Sequence, residues 1–308
     1  MPSAKPSLAR GLAFVGVAVF FFATSPVLTR WSAPLSPFAI TFGRMAIAAV
    51  AVLAYALLTR QRIALGRADL GRFAFYGLVT ALHFLLYIAS LSYTTIAHSL
   101  ALVYTAPVFV TVFAALFLRE RIARWQYLGL VVAVGGVALL AGFEPAMTRT
   151  MAFGDLLAIG SAICFGVYSV VGRRERTRYP LLTYAFGVYA LAAVWLAPPA
   201  LADPIPSGVS LLAILSVVAL GLFPLALGHT LYNASLRRVH PTYVNLIATQ
   251  EVTGGVILGF LILGEVPSLN SVLGAAITLV GIAVVLLCRE EAEGAADGER
   301  KPVGNPSG

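Results

Sequence analysis

The most informative absence in this sequence is that of charge. Of its 308 residues only 11% are charged, whereas 59% are hydrophobic. A soluble domain carries roughly 25% charged residues, because its surface must interact with water. The composition therefore excludes a soluble protein of this size and predicts an integral membrane protein that has the lipid bilayer as its surroundings.

Cysteine and the common catalytic motifs are also scarce. The two cysteines, Cys164 and Cys288, lie within apolar segments and lack the paired spacing of a metal site or of a disulfide framework. The sequence contains no GxxxxGKS/T phosphate-binding loop, which argues against an ATP-driven pump, and no HExxH or GxSxG motif of a membrane hydrolase. We therefore expect no metal, no cofactor and no enzymatic activity.

The net charge of +8 raises the question of a nucleic-acid partner. Such a partner requires a basic patch interleaved with aromatic residues on a soluble surface. The arginines of this chain lie instead in the breaks between apolar runs. We therefore expect no binding of nucleic acid.

Apolar runs of about 18 to 25 residues recur along the chain, and each is long enough to cross a hydrocarbon layer of about 30 Å as an α-helix. The runs do not alternate between apolar and polar residues, so a transmembrane β-barrel is excluded. The sequence predicts an all-α protein with ten transmembrane helices, at residues 11–30, 36–59, 72–92, 97–118, 125–142, 154–172, 180–198, 210–236, 241–263 and 267–288.

The basic residues predict an orientation, because arginine and lysine concentrate in cytoplasmic loops. With a cytoplasmic N-terminus, 18 of the 21 basic residues fall in breaks on the cytoplasmic side and 2, Arg30 and Arg149, on the other. The apolar run that follows Lys5 and Arg10 is too long for the core of a secretory signal, so we interpret it as the first helix. We expect the protein to lie in a bacterial-type cytoplasmic (inner) membrane as a multi-pass protein, with its N- and C-termini in the cytoplasm.

A constant offset of 145 positions relates the two halves of the chain. It aligns LFLRE, residues 116–120, with LILGE, residues 261–265, and Tyr87 with Tyr232, without a gap. A period this long marks a duplicated structural unit. Each copy holds five helices, an odd number, so the second copy enters the membrane from the opposite face. Inverted repeats of this kind place a binding site between them near the membrane midplane, as in secondary transporters.

Several stretches resemble the EamA domains of the drug/metabolite transporter superfamily. They include the helix ends LFLRER and LILGEV, the segment WSAPLSPFAITFGRMAIAA in the first copy and GDLLAIGSAICFGVYSV in the second. The resemblance implies two five-helix EamA-like repeats, at residues 11–142 and 154–288, and an exporter of amino acids, other metabolites or drugs. We expect the remaining tail, residues 289–308, to be disordered in the cytoplasm, because it is polar and rich in glycine.

Polar residues at mid-depth of the predicted helices are the candidates for contact with a substrate, since such groups are costly in lipid and usually face a cavity. The third helix carries a polar stripe, and the offset relates it to a similar stripe on the eighth. The candidates are His83, Tyr87, Tyr104, Tyr168, His229, Tyr232, Asn233, Gln250 and Glu251. Glu251, His229 and His83 are also candidates for coupling transport to protons.

Each candidate also has a structural interpretation. Glu251 could bind a tyrosine or histidine on a neighbouring helix and fix packing, and His83 and His229 could be packing histidines. The tyrosines could likewise be part of the core. Arg44 could snorkel to the membrane surface or pair with a carbonyl, and its alternative role is to bind the carboxylate of a substrate.

Residues at helix ends and seams have structural interpretations only. We expect Glu120 and Glu265 to cap the amides of the following helix or to bind neighbouring basic groups. Six glycines permit close contacts between helices. They are Gly129, Gly136, Gly255, Gly259, Gly274 and Gly281.

These observations predict a secondary transporter that exports a small metabolite by alternating access, with helices one, three, four, six, eight and nine around the cavity. A passive facilitator or channel would share the fold but show no saturation or counterflow. A membrane-embedded enzyme would show turnover that is lost in His83→Ala. The expected partners are a small-molecule substrate, protons and the bilayer, and the chain is compatible with a monomer or a homodimer.

Overall fold

A computed structural model of the chain describes residues 8–118, 123–142, 145, 147–171, 178–239 and 241–300. Nine helical stretches of 20 to 27 residues in these parts are long and apolar enough to cross a membrane, and one apolar helix, Arg124–Leu140, is shorter. Large apolar side chains such as Phe20, Val50 and Leu57 are more than 60% exposed on the outside of the bundle, as expected for a surface in contact with lipid. The predicted all-α membrane architecture is confirmed.

The first half of the chain forms six helices from the five predicted spans. Ser36 caps the second helix, because its Oγ accepts a hydrogen bond of 3.2 Å from the amide of Ala39, and Pro37 occupies the first helical position. Thr95 caps the fourth in the same way through the amide of His98, at 3.2 Å. The helices are α1 (Leu8–Trp31), α2 (Pro37–Leu58), α3 (Leu70–Tyr93), α4 (Ile96–Val103), α5 (Ala106–Leu118) and α6 (Arg124–Gly142).

The second half follows the same plan with one further interruption. Ser210 caps the eighth span through the amide of Ala213, at 3.1 Å. Gly264, in the left-handed conformation with φ 68°, ends the ninth span. The elements are α7 (Arg149–Val171), α8 (Leu181–Ala202), α9 (Leu211–Leu220), a π-helical segment (Gly221–His229), α10 (Thr230–Ser235), α11 (Pro241–Ala248), α12 (Gln250–Leu263) and α13 (Leu269–Arg300).

Two spans that the sequence predicts as continuous helices, residues 97–118 and 241–263, each contain an interruption of one or two residues in the α-helix, which we call a helix break. The first is interrupted after Val103 and the second after Ala248, so that Tyr104 and Thr249 stand at positions related by the offset of 145. Pro107 contributes to the first break, because it has no N–H to donate to the preceding turn. No proline lies at the second.

The tail differs from the expectation as well. The helix α13 does not end at residue 288 but continues to Arg300. Alanine and glutamate dominate the segment EEAEGAADGER, and both favour helix strongly enough to offset its two glycines. Residues 301–308 lie outside the described residues.

The contact between α6 and α13 shows that the repeats are inverted. A Cβ atom added to Gly129 would lie 2.8 Å from the carbonyl oxygen of Gly281, and one added to Gly274 would lie 2.8 Å from that of Gly136. The offset relates Gly129 to Gly274 and Gly136 to Gly281, so the contact of Gly129 with Gly281 and that of Gly136 with Gly274 are equivalent to each other. This exchange requires antiparallel helices related by a two-fold axis, as the inverted repeat predicts. We call these four residues the glycine seam.

The same symmetry relates the other contacts of the bundle. The α3 helix packs against α7 and α8, whereas the π-helical segment with its flanking α9 and α10 packs against α1 and α2. The α4 and α5 helices contact α7, and α11 and α12 contact α1 in the equivalent way. Each repeat therefore supplies half of the wall around a shared interior.

Candidate functional site

Two adjoining cavities lie in this interior between the repeats. The larger has an empty volume of about 780 Å³ and the smaller about 540 Å³. Their walls are mainly aromatic and aliphatic with a few polar groups, which is the usual composition of a small-molecule site. Five of the lining side chains are common to both cavities, namely His83, Phe84, Phe165, His229 and Tyr232.

The two helix breaks line the larger cavity. Tyr104 and Pro107 come from the first break, and Thr249 and Glu251 from the second. Irregular helix segments at the interface of inverted repeats commonly contribute to substrate and ion sites. The symmetric breaks therefore place polar groups of both repeats at one point.

Glu251 lies at the start of α12 and is paired with Tyr104. The hydroxyl of Tyr104 donates a hydrogen bond of 2.5 Å to Oε2 of Glu251. Among the described residues, Oε1 of Glu251 has no hydrogen-bond donor. The tyrosine contact that the structural interpretation expects is thus present, but the carboxylate also lines the larger cavity and retains a free oxygen.

The two candidate histidines are held differently. His83 lies with Nδ1 at 3.0 Å from the carbonyl oxygen of Ser161 and 2.8 Å from its Oγ, so it joins α3 to α7. His229, at the end of the π-helical segment, lies among aromatic rings, with ring centroids 4.6 Å from Phe22 and 5.3 Å from Phe84. The rings fill space around His229, and no hydrogen bond links it to another described side chain.

The remaining candidates separate into three groups. Tyr87 lines the larger cavity, and Tyr232 lines both while donating a 2.6 Å hydrogen bond to Oδ1 of Asn245. Tyr168 and Asn233 line the smaller cavity. Gln250 is exposed, accepts a long 3.5 Å contact from Thr253 and lines neither cavity. The structure therefore brings together all of the candidates except Gln250, which faces away because it is one residue, about 100°, from Glu251 on the helix.

Arg44 is the main functional candidate missing from the sequence-based list. Its side chain is only 1% exposed and lines the larger cavity, so it does not snorkel to the membrane surface. The guanidinium carbon lies 4.4 Å from the ring centroid of Phe84. The Nε and Nη1 atoms of Arg44 donate to no described acceptor. The signal was present in the sequence, because an ionisable residue within a span is a functional candidate by default.

Away from the cavities, Glu265 ties the two repeats together at one end of the bundle, which we call the Glu265 end. Its Oε1 accepts a 2.5 Å hydrogen bond from the amide of Ile96, and its Oε2 lies 3.2 Å from Arg30. Arg30 also donates to the carbonyl oxygen of Thr94 at 2.9 Å. Glu265 thus binds a basic group and a helix N-terminus, as expected, but the helix is α4 and not the following one. Glu120 lies outside the described residues.

At the opposite end of the bundle, the loop before α8 is tied to the start of α3. The hydroxyl of Tyr179 donates a 2.6 Å hydrogen bond to Oδ1 of Asp69. This bond stabilises the protonated phenol and so raises the pKa of Tyr179. We call this region the Tyr179 end.

A buried polar cluster near the Glu265 end links α4, α7 and α13. His98 lies with Nδ1 at 2.9 Å from Oδ2 of Asp155 and Nε2 at 3.0 Å from Oγ of Ser271, while Thr94 donates to Oδ1 of Asp155 at 2.7 Å. The order of atoms matches that of a Ser-His-Asp triad. However, His98 is 0% exposed, and none of the four residues lines either of the two cavities described above. The cluster holds the helices together.

Removal of the central acceptor of this cluster should be costly. We expect Asp155→Ala to lower the free energy of unfolding by about 1–3 kcal/mol for each of the two buried donors that lose their partner. Ser271→Ala should cost less, about 1–3 kcal/mol in all, because within the cluster only Nε2 of His98 loses a contact and His98 keeps Asp155. Thermal and denaturant unfolding in detergent would measure both, and an equal loss in the two variants would contradict the assignment of Asp155 as the centre.

This chain is similar to several proteins that are named as transporters. The model of the EamA-like transporter family matches residues 9–142 and 152–287. The pseudopaline exporter CntI of Pseudomonas aeruginosa is 30% identical over 61% of this chain and 66% of its own length. A probable terminal-alkyne amino-acid exporter of Streptantibioticus cattleyicolor is 30% identical over 60% of this chain and 62% of its own length. The alignments thus span just under two thirds of these exporters.

A solved structure shares the fold. It superposes with a TM-score of 0.66 at 21% identity, over 93% of this chain and 100% of that chain. At this identity the likeness concerns the arrangement of helices alone.

Proposed function

Because the chain belongs to the EamA-like transporter family, we propose that it is a secondary transporter that exports a small amphipathic metabolite across the cytoplasmic membrane by alternating access. The exported compound is an amino acid, a related compound or a drug. The names of the two exporters that resemble the chain support export as the direction.

The observation that carries this proposal is the meeting of the two helix breaks at the larger cavity. Tyr104 belongs to one repeat and Glu251 to the other, and the 2.5 Å hydrogen bond between them crosses the interface. A movement of one repeat against the other would change this contact and would expose the cavity to one side of the membrane at a time. The site and the moving interface then coincide.

We assign the two ends of the bundle to the two sides of the membrane. The excess of arginine and lysine near the Tyr179 end favours its placement in the cytoplasm together with both termini. The Glu265 end then faces outward. The repeats at residues 11–142 and 154–288 are the two moving units. Both cavities lie within a single chain, and we propose that the monomer is the transporting unit.

Export against a gradient needs a coupled ion, and we assign proton coupling to Glu251. His83 is held by Ser161 and His229 is packed among rings, whereas Glu251 keeps a free oxygen towards the cavity. The other titratable or charged groups around the larger cavity are Arg44, His83, Tyr87, Tyr104, His229 and Tyr232. A proton that enters from outside would neutralise Glu251 and so release the substrate to the outside. The same proton would leave Glu251 for the cytoplasm when the cavity opens to that side again.

Counterflow in proteoliposomes tests the proposal. Vesicles loaded with unlabelled L-phenylalanine, L-leucine or a lipophilic cationic drug would be diluted into the labelled compound. Saturable, transient accumulation above equilibrium, absent from protein-free vesicles, is expected for at least one of them. Uptake that is linear with concentration and lacks counterflow would identify a passive channel and contradict the proposal.

A further inference from the structure

The larger cavity contains an arginine that forms no salt bridge with any described residue. Arg44 is 1% exposed, and its Nε and Nη1 atoms have no acceptor among the described residues. The aromatic face of Phe84 attracts the guanidinium, but it accepts no conventional hydrogen bond. Buried charges in proteins are normally paired and hydrogen-bonded. An unpaired guanidinium that faces a cavity is therefore a site for an anionic group, and a carboxylate matches its geometry well.

The same cavity contains one acidic side chain. Glu251 is hydrogen-bonded by Tyr104 through Oε2 only, and Oε1 has no donor among the described residues. No ion pair joins Glu251 to Arg44 among the described contacts, so each charge keeps unused capacity for hydrogen bonds. A carboxylate oxygen of this kind accepts readily from an ammonium group.

The charges of Arg44 and Glu251 determine which kind of ligand the two side chains can bind at the same time. The described lining of the larger cavity includes one arginine and one glutamate, which sum to zero when both are ionised. A bound monoanion or monocation would leave one charge unmatched in a site of low polarity, which is costly. A zwitterion matches both charges and adds none. The rings of Phe22, Phe84 and Phe165 can cover an apolar side chain of the same ligand.

We propose that the larger cavity selects a zwitterion with an apolar side chain, in which Arg44 binds the carboxylate and Glu251 binds the ammonium group. This inference rests on the proposed function and names the class of its substrate. It separates compounds with both charges from cationic drugs, which lack the group that Arg44 needs.

Competition against counterflow of labelled L-phenylalanine provides the test, with two analogues that each lack one charge. L-Phenylalaninamide has no carboxylate and 3-phenylpropionate has no amine. In the wild-type protein we expect each analogue to compete on the order of 10- to 100-fold more weakly than L-phenylalanine, which corresponds to the loss of one charge-assisted contact.

Two variants assign the contacts to residues. In Arg44→Gln the preference for L-phenylalanine over its amide should disappear while the preference over 3-phenylpropionate remains. Glu251→Gln should show the reverse pattern. Thr253→Val, an exposed position two residues from Glu251, should behave as the wild type. Arg44→Lys keeps the positive charge and should retain a weaker preference for L-phenylalanine over its amide. This variant still tests the role of the charge if Arg44→Gln does not fold.

The outcomes separate this inference from the proposed function. Counterflow of L-phenylalanine that the amide or the deaminated acid inhibits equally well would overturn the zwitterion site and leave the transporter intact. Counterflow of the cationic drug but of neither amino acid would do the same. Absence of counterflow for all three compounds would instead overturn the proposed function.

Discussion

Glu251→Gln should abolish uphill export while leaving the protein folded. Glutamine keeps the size of the side chain and an acceptor for Tyr104, but it cannot carry a proton or a charge. Without the charge, an inward-directed proton gradient cannot drive the carrier. In proteoliposomes loaded with L-phenylalanine, the gradient should accelerate efflux by the wild type and should have no effect on the variant.

The histidines serve as matched controls for this experiment. His83→Gln and His229→Gln remove the other two titratable candidates from the same cavities. Both should retain the response to the proton gradient, although His83→Gln loses contacts to Ser161 and should be less stable. A response that persists in Glu251→Gln and vanishes in either histidine variant would transfer the coupling role to that histidine.

Gly136→Ala should destabilise the protein much more than Gly135→Ala. A Cβ at Gly136 would collide with the backbone nitrogen of Thr278 and lie 2.7 Å from the carbonyl oxygen of Gly274, whereas a Cβ at Gly135 meets nothing within 4 Å. Overpacking of this kind typically costs about 1–3 kcal/mol, and contacts with rigid backbone fall at the upper end. At Gly135, alanine should instead stabilise the helix by up to about 1 kcal/mol.

Thermal unfolding of the two variants in the same detergent provides the comparison. The variants add the same methyl group to neighbouring residues of α6, so their difference reports the seam alone. Equal melting temperatures would show that α6 and α13 do not approach as closely as the glycine seam requires. The same substitution at Gly281, which faces the backbone of Ala133, should repeat the loss.

Most of the architecture could be predicted because it depends on local chemistry. Lengths of apolar runs, the offset of 145 positions and the capping residues together indicate the helices and their pairing. The glycines at the seam were predicted to allow close contact, and the structure shows which of them meet. The EamA resemblance identified from the helix-end motifs is confirmed by the matching family model.

The helix breaks could not be predicted from apolar periodicity alone. The segment around Tyr104 is as apolar as the helices that flank it, and the segment around Thr249, although it contains Gln250 and Glu251, lies within one long apolar run, so the hydropathy pattern runs through both. Pro107 was a visible signal for the first break, but proline is tolerated within many membrane helices. The π-helical segment at Gly221–His229 could not be predicted either, because it is apolar and its Pro224 is compatible with a continuous membrane helix.

The candidate site was predicted in part. The stripe of His83 and Tyr87 does face the interior, because residues three and four apart share one face of a helix. For Arg44 the sequence left three roles open, which were snorkelling, pairing with a carbonyl and binding a substrate carboxylate, because the burial of its face depends on contacts with the second repeat. Gln250 was included with Glu251 from depth alone, and depth does not specify the direction of a side chain.

In the proposed transport cycle, the two repeats move against each other around one cavity. Distances between spin labels at the two ends of the bundle measure this movement, with one pair at positions 93 and 266 of the Glu265 end and another at positions 58 and 243 of the Tyr179 end. Addition of L-phenylalanine and a change of pH should lengthen one distance while shortening the other. Two distances that stay constant, or that lengthen together, would contradict alternating access.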